Sequence, residues 1–285
     1  VYTPNEIVRF MVQSTDHLLE KHFNSNLHEK GVEILDPATG TGTYITDIID
    51  YIAPQYLPYK YQNELHANEV SILPYYIANL NIEYTYKNKM GNYTEFKNIC
   101  FVDTLDNTDA LAYKGKQQSL FGLSSENSER IQRQNKRKIS VIIGNPPYNA
   151  NQLNFNDFNK NREYPQIDKR IKDTFIKQST AQKTKVYDMY ARFYRWTMDR
   201  IDKTQGIVCM ITNNSFINSR TFDGFRKCIQ DEFDYAYIVD LGGNIRELSG
   251  KDGIFLGEAH TVFGLGAMVG IAIMFLVKSE HKDDK

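Results

Sequence analysis

The stretch Val32–Tyr44, VEILDPATGTGTY, decides how the rest of the chain is read. A short apolar run ends in an acid, Asp36, and breaks into a loop holding Gly40 and Gly42. Helical spacing then resumes in ITDIIDYI, residues 45–52. Strand, glycine turn and helix form the repeating unit of an α/β sheet. Glycine supplies the positive φ of a tight turn and lets a ligand approach the backbone. The loop lacks the Lys-Ser or Lys-Thr pair of a phosphate-binding P-loop and the third glycine of the dinucleotide fingerprint. An acid ahead of it disfavours phosphate and favours a cation, such as an amine or sulfonium. An ordinary tight βα turn is the alternative.

Working outward, six more apolar runs qualify as strands: ELHANEV (64–70), ICFVD (99–103), ISVIIG (139–144), GIVCMIT (206–212), YAYIVDL (235–241) and GIAIMFLV (270–277). Helical patterns separate most of them, including LPYYIANLNIE (73–83) and YDMYARFYRWTMDRI (187–201). At the start, Thr3 reads as a helix N-cap, Pro4 as the first helical residue and Glu6 as its capping-box partner. Strands alternating with helices, several of them continuous apolar runs, predict an α/β fold with a doubly wound seven-stranded sheet behind an N-terminal helix. Such sheets bind ligands beyond the carboxyl ends of their strands, where strand order reverses. Asp36, Glu69, Asp103 and Asn145 all stand at those ends.

Composition narrows the class without choosing a function. The 285 residues are 41% hydrophobic and 24% charged, with a formal net charge of −1, so any polyanion contact has to come from a local patch. Cys100, Cys209 and Cys228 show neither disulfide nor zinc spacing and suit a reducing, cytoplasmic environment. The six histidines form no ligand pair, and no metal site is expected. The uncharged run Thr261–Val277 contains glycines and reads as a turn and a buried strand, not a membrane span. No signal peptide is recognised, and the opening VYTPNE, without methionine, suggests a piece of a longer protein.

The fourth strand runs into SVIIGNPPYNAN, Ser140–Asn151. Pro146 and Pro147 cannot extend a ladder, yet each keeps a carbonyl acceptor. The Asn145 side-chain carbonyl, oriented by its own NH₂ donors, adds another. Asn145 Oδ1 and the Pro146 carbonyl can hold the two N–H bonds of one amino group. That favours a pyramidal nitrogen and stabilises the positive charge that builds as it attacks a carbon. Tyr148 offers a stacking face. A rigid strand-end turn is the plain alternative. A carboxylate at Glu69 can accept ribose hydroxyls or serve a helix dipole. Asp103 can accept from an adenine amine while Leu105 packs on the ring.

The order of VYTP, DPATGTGTY, NEV, VDTL and GNPPY resembles the amino-N6-adenine DNA methyltransferases in which the cofactor motifs precede NPPY. The resemblance covers nearly the whole chain. NPPYNANQLNFNDFNKN with YDMYARFYRW is similar to the methylase domains of large single-chain restriction-modification proteins that also carry a helicase. The resemblance implies S-adenosylmethionine as donor. Tyr2, Thr3 and Pro4 would line its methionine end, and Asp36, Pro37, Ala38, Thr39, Gly40 and Gly42 its sulfonium side. Glu69 would take the ribose, and Asp103, Thr104 and Leu105 the adenine. Asn145, Pro146, Pro147 and Tyr148 would hold the target base, flipped out of the duplex. Phe263 is either the aromatic residue that packs on that base or simply core.

The implied layout is one methyltransferase domain over 1–285. It comprises a helical start (1–30), a cofactor-binding half (31–105), a polar insertion (106–138) and a catalytic half (139–278) with a mobile loop (149–185). No target-recognition domain is visible, so recognition, helicase and nuclease portions are expected elsewhere in a longer chain or on partner subunits. The basic residues Arg130–Lys138 and Lys160–Arg170 either touch DNA phosphates or are solvated. NPPY is shared with RNA and protein-glutamine methyltransferases, which remain alternatives, as does an inactive DNA-binding or assembly module.

Overall fold

The computed structural model describes residues 3–108, 124–147, 163–181, 186–242 and 270–279. The strands are β1 (Ile34–Asp36), β2 (Leu65–Glu69), β3 (Ile99–Phe101), β4 (Val141–Gly144), β5 (Gly206–Asn213), β6 (Tyr235–Gly242) and β7 (Ile271–Lys278). They form one sheet in the order β3-β2-β1-β4-β5-β7-β6. β1 to β5 run parallel, and β7 lies antiparallel between β5 and β6. The chain leaves β1 toward β2 on one side and returns as β4 on the other, so the switch point lies between β1 and β4.

The helices are α1 (Asn5–Phe23), α2 (Thr43–Tyr51), α3 (Leu57–Asn63), α4 (Ile72–Met90), α5 (Ser124–Asn135), α6 (Pro165–Ile171), α7 (Met189–Arg200), the single turn α8 (Ser215–Asn218) and α9 (Asp223–Glu232). Side chains alternate strictly across the sheet, which is why the strands read as unbroken apolar runs. Ile34, Val141, Ile143, Cys209 and Ile273 face α1, α2 and α4, packing with Met11, Ile48 and Ile82. Leu35, Ile142, Val208, Met210 and Met274 face the other way, onto Ile171, Phe175, Tyr194 and Phe225.

Three expectations need correction. Pro4, not Thr3, is the cap of α1: its carbonyl accepts the first N–H bonds, from Ile7 at 3.0 Å and Val8 at 3.1 Å, and no side chain caps that end. Within the insertion 106–138, the basic run is mostly helix α5 and not a loop. Ile131 buries against Cys100 and Val102, and Asn127 donates to and accepts from the Phe101 backbone, both at 2.8 Å. Arg130 pairs with Glu126 and Glu95, and Arg133 with the Lys97 carbonyl.

The third concerns the loop expected over 149–185. Its described part carries α6, extended by a wider turn over Lys172–Ile176. Tyr164, Ile167, Ile171 and Phe175 are buried there at helical spacing, and Arg170 is tied to Asp199 at 2.7 and 2.8 Å. Four apolar residues suffice to dock the helix although the surrounding composition is polar.

Candidate active site

The carboxyl ends of β1, β2, β3 and β4 bring the strand-end residues together. Asp36 closes β1 and is fully buried. Its Oδ1 accepts the Ala38 N–H at 3.1 Å, while its Oδ2 is buried with no hydrogen-bond partner among the described residues. Burial pushes this carboxyl up to about 8; the nearby Glu69 charge adds to the rise and the Ala38 bond opposes it. An acid in this state is matched to an incoming cation, which would relieve the cost of ionising it.

The glycine loop is pinned from β2. Thr39 N–H donates to the Asn68 carbonyl at 2.9 Å, and Gly40 N–H donates to Glu69 Oε2 at 2.8 Å. Glu69 Oε1 accepts the Ser71 N–H at 2.7 Å, beside the start of α4. The residue therefore serves both the helix start and the loop. Burial raises its carboxyl, against the lowering effect of those N–H bonds.

The two glycines differ in purpose. Gly40, at φ +57°, faces open space: apart from its chain neighbours, no atom of the described residues lies within 4 Å of where a Cβ would stand. Gly42, at φ +91°, is packed: a Cβ there would lie 3.2 Å from Ile82 and 3.4 Å from the Ala78 backbone. Only Gly40 leaves room for a ligand; Gly42 lets α4 come close.

At the end of β3, Asp103 accepts the Leu105 N–H at 3.1 Å and the Tyr164 hydroxyl at 3.0 Å. Thr104 donates to the Pro37 carbonyl at 2.6 Å and accepts from Asn68 Nδ2 at 3.3 Å. The third strand end is thereby tied to the glycine loop. Asn68 Oδ1 is the second buried acceptor here without a partner among the described residues.

Beyond β4, Asn145 is half-buried, Pro146 buried and Pro147 exposed. Asn145 Nδ2 donates to Thr3 Oγ1 at 2.9 Å, which orients the amide and explains why Thr3 is not spent on capping α1. Tyr2, Tyr148 and Phe263 lie outside the described residues.

Sequence reasoning missed Gly144 and Tyr164. Gly144 ends β4 beside Asp36, where a Cβ would stand 2.8 Å from Oδ1. A glycine closing an apolar strand directly before NPPY was the available signal. Nothing local marks Tyr164, whose partner lies far away in sequence. Among the described residues no cluster of His, Cys, Asp or Glu could hold a metal ion, and no helix is long and apolar enough to cross a membrane.

The strand order, with β7 alone reversed among its parallel neighbours, is the fold of class I S-adenosylmethionine-dependent methyltransferases. The cryoEM structure of a DrdV–DNA complex superposes with a TM-score of 0.87 at 57% identity, covering 98% of this chain and 26% of that one. A nuclease-deletion mutant of the Type ISP restriction-modification enzyme LlaGI, solved with a DNA substrate mimic, gives 0.88 at 38% identity, covering 99% and 23%. The type II methyltransferase M.BstVI of Geobacillus stearothermophilus is 28% identical over 107 residues, 36% of this chain and 16% of that protein. The chain thus spans about a quarter or less of the length of these relatives. The profile of the Eco57I restriction-modification methylases matches residues 51–245, well over half of the chain and inclusive of both the β2 to β4 strand ends and NPPY. The chain belongs to the Eco57I restriction-modification methylase family.

Proposed function

We propose that this chain is the methylase portion of a restriction-modification protein and methylates N6 of an adenine in DNA, using S-adenosylmethionine. The observation that carries the reading is the pairing of β1 with β4 at the switch point: β1 ends in Asp36, buried with one oxygen unpartnered among the described residues, and β4 is followed by Asn145, whose amide is oriented by Thr3. The residues present fit the donor, which carries a sulfonium and an ammonium. Asp36 Oδ2 lacks a partner among the described residues, and Gly40 leaves the backbone open.

When bound, S-adenosylmethionine supplies an electrophilic methyl carbon on a good leaving group. Asp36 would face its cationic part, Gly40 would admit it, Glu69 would accept from the ribose and Asp103 from the adenine amine. Tyr2, Thr3, Pro4 and the loop residues Pro37, Ala38 and Thr39 would complete its walls, with Thr104 and Leu105 beside the ring.

Asn145 Oδ1 and the Pro146 carbonyl would accept the two N–H bonds of the target amine. Fixing both turns the nitrogen lone pair out of conjugation and toward the methyl carbon. The nitrogen that gains the methyl group then sheds one proton to water. Pro147 stiffens the turn, and Tyr148 and Phe263 are proposed to stack on the base. A paired base cannot reach such a site, so it has to be extruded from the duplex.

DNA is the favoured substrate because the DrdV and LlaGI structures, each matching nearly all of this chain, were solved with DNA or a DNA mimic. Recognition, helicase and nuclease functions are proposed to reside elsewhere in a longer protein or on partner subunits, within the cytoplasm.

The test is a methyl-transfer assay with labelled donor and the full-length protein on DNA, RNA and protein, with the modified group identified by mass spectrometry. N6-methyladenine in DNA is expected. Label confined to RNA or to glutamine amides would replace the substrate assignment. No transfer, with retained DNA binding, would favour an assembly role.

A further inference from the structure

Tyr164 enters α6 with its hydroxyl on a distant carboxylate. It donates to Asp103 Oδ2 at 3.0 Å, within the buried layer, while Asp103 Oδ1 accepts the Leu105 N–H at 3.1 Å. A buried phenol needs a hydrogen-bond partner, and a backbone carbonyl would have served. The partner here is instead the acid at the end of β3, on the same sheet edge as Asp36 and Glu69. A hydrogen bond to a carboxylate is stronger and more directional than one between neutral groups.

The phenol is itself held on every side. The Arg192 guanidinium lies over its ring, 5.2 Å from the centroid. Arg192 grips Asp168 with bonds of 2.7 and 3.0 Å. Asp168 in turn accepts the Tyr164 N–H at 3.2 Å and donates its own N–H to the Tyr164 carbonyl at 2.8 Å. Helices α6 and α7 thus fix the ring, and the ring fixes the carboxylate. On its other flank, Thr104 is anchored to the Pro37 carbonyl of the glycine loop at 2.6 Å. Side-chain rotation of Asp103 is restrained at both oxygens, by the Leu105 N–H and the Tyr164 hydroxyl.

We propose that Tyr164 is a positioning residue of the cofactor site, holding the Asp103 carboxylate in the orientation that accepts the exocyclic amine of a purine nucleoside. The inference rests on the S-adenosylmethionine reading above. A carboxylate fixed in this way selects an amine at that ring position. A purine carrying a carbonyl there would set two acceptors against each other, the kind of polar mismatch that discriminates most strongly. Without the Tyr164 hydroxyl, Asp103 Oδ2 loses a bond that orients it, and the selection relaxes.

The test compares S-adenosylhomocysteine with its hypoxanthine counterpart, by calorimetry on the full-length protein and on Tyr164→Phe. The wild type is expected to prefer the adenine form. The variant should lose roughly fivefold in affinity for that form, with little change for the hypoxanthine form, while keeping a cooperative melt. Equal weakening of both, or weakening of neither, overturns the proposal. Equal wild-type affinity for the two nucleosides overturns it as well. Wild-type protein that binds neither overturns the methylase reading and this inference with it. Should Tyr164→Phe lose its cooperative melt, Arg192→Lys keeps the phenol but loosens its clamp. It should shift the adenine preference in the same direction by a smaller factor, and an unchanged preference overturns the proposal.

Discussion

Gly144 stands where no side chain fits against Asp36: a Cβ at that position would lie 2.8 Å from Asp36 Oδ1 and 3.3 Å from the Pro37 ring. The residue before NPPY therefore shapes the acid on the neighbouring strand. Gly144→Ala should displace the Asp36 carboxylate, lower stability by about 1–3 kcal/mol and weaken donor binding. Urea unfolding and calorimetry would register both. Wild-type affinity in the variant would remove the steric link between the two strands.

Asp36 is expected to make donor binding depend on pH. Its folded pKa, about 8, lies above the ordinary value of 3.8, so the folded protein keeps a proton that the unfolded chain releases. This contribution to stability is fully present below pH 3.8 and is lost as pH rises through about 8. A cation beside the carboxyl reverses the preference and expels the proton. Affinity for S-adenosylmethionine should therefore rise with pH up to about 8 and level off above it. Below that point, the binding enthalpy should differ between buffers of different ionisation enthalpy. Asp36→Asn should flatten the profile; a flat wild-type profile would refute the assignment.

Asn145 is expected to separate chemistry from donor binding. Asn145→Ala should lower the rate of methyl transfer by roughly a hundredfold or more while sparing donor affinity. Thr3→Val removes the acceptor that orients the amide and should cost about tenfold in kcat. Single-turnover assays beside calorimetry distinguish the two. Transfer at the wild-type rate in Asn145→Ala would end its proposed role.

Helix α6 is a structural element of the second face of the sheet. Ile171→Ala deletes a fully buried side chain and should destabilise the protein by about 2–5 kcal/mol. Thermal melts would show it. A negligible shift would mean that α6 is not part of the core.

Several strands were legible as continuous apolar runs closed by a polar residue, as in Ile34–Asp36 and Val141–Gly144 followed by Asn145. What escaped the sequence depends on contacts between distant segments. Thr3 has the composition of a cap, but its partner is the Asn145 amide, 142 positions later in the chain. Gly144 matters because of the strand paired beside it, and Tyr164 because of an acid sixty-one positions earlier in the chain. Helix α6 was hidden by local composition: its apolar residues are few, and Asn, Lys and Gln surround them. The difference between Gly40 and Gly42 arises only when α4 packs against the loop.

The Asn127 amide takes both the N–H and the carbonyl of Phe101, the last residue of the edge strand β3, and so occupies that position against lateral strand addition. At the opposite margin, β6 is irregular between Asp240 and Gly242, where φ turns positive. A strand arriving from a neighbouring molecule would thus find Phe101 already occupied on one edge and an irregular, turned end on the other.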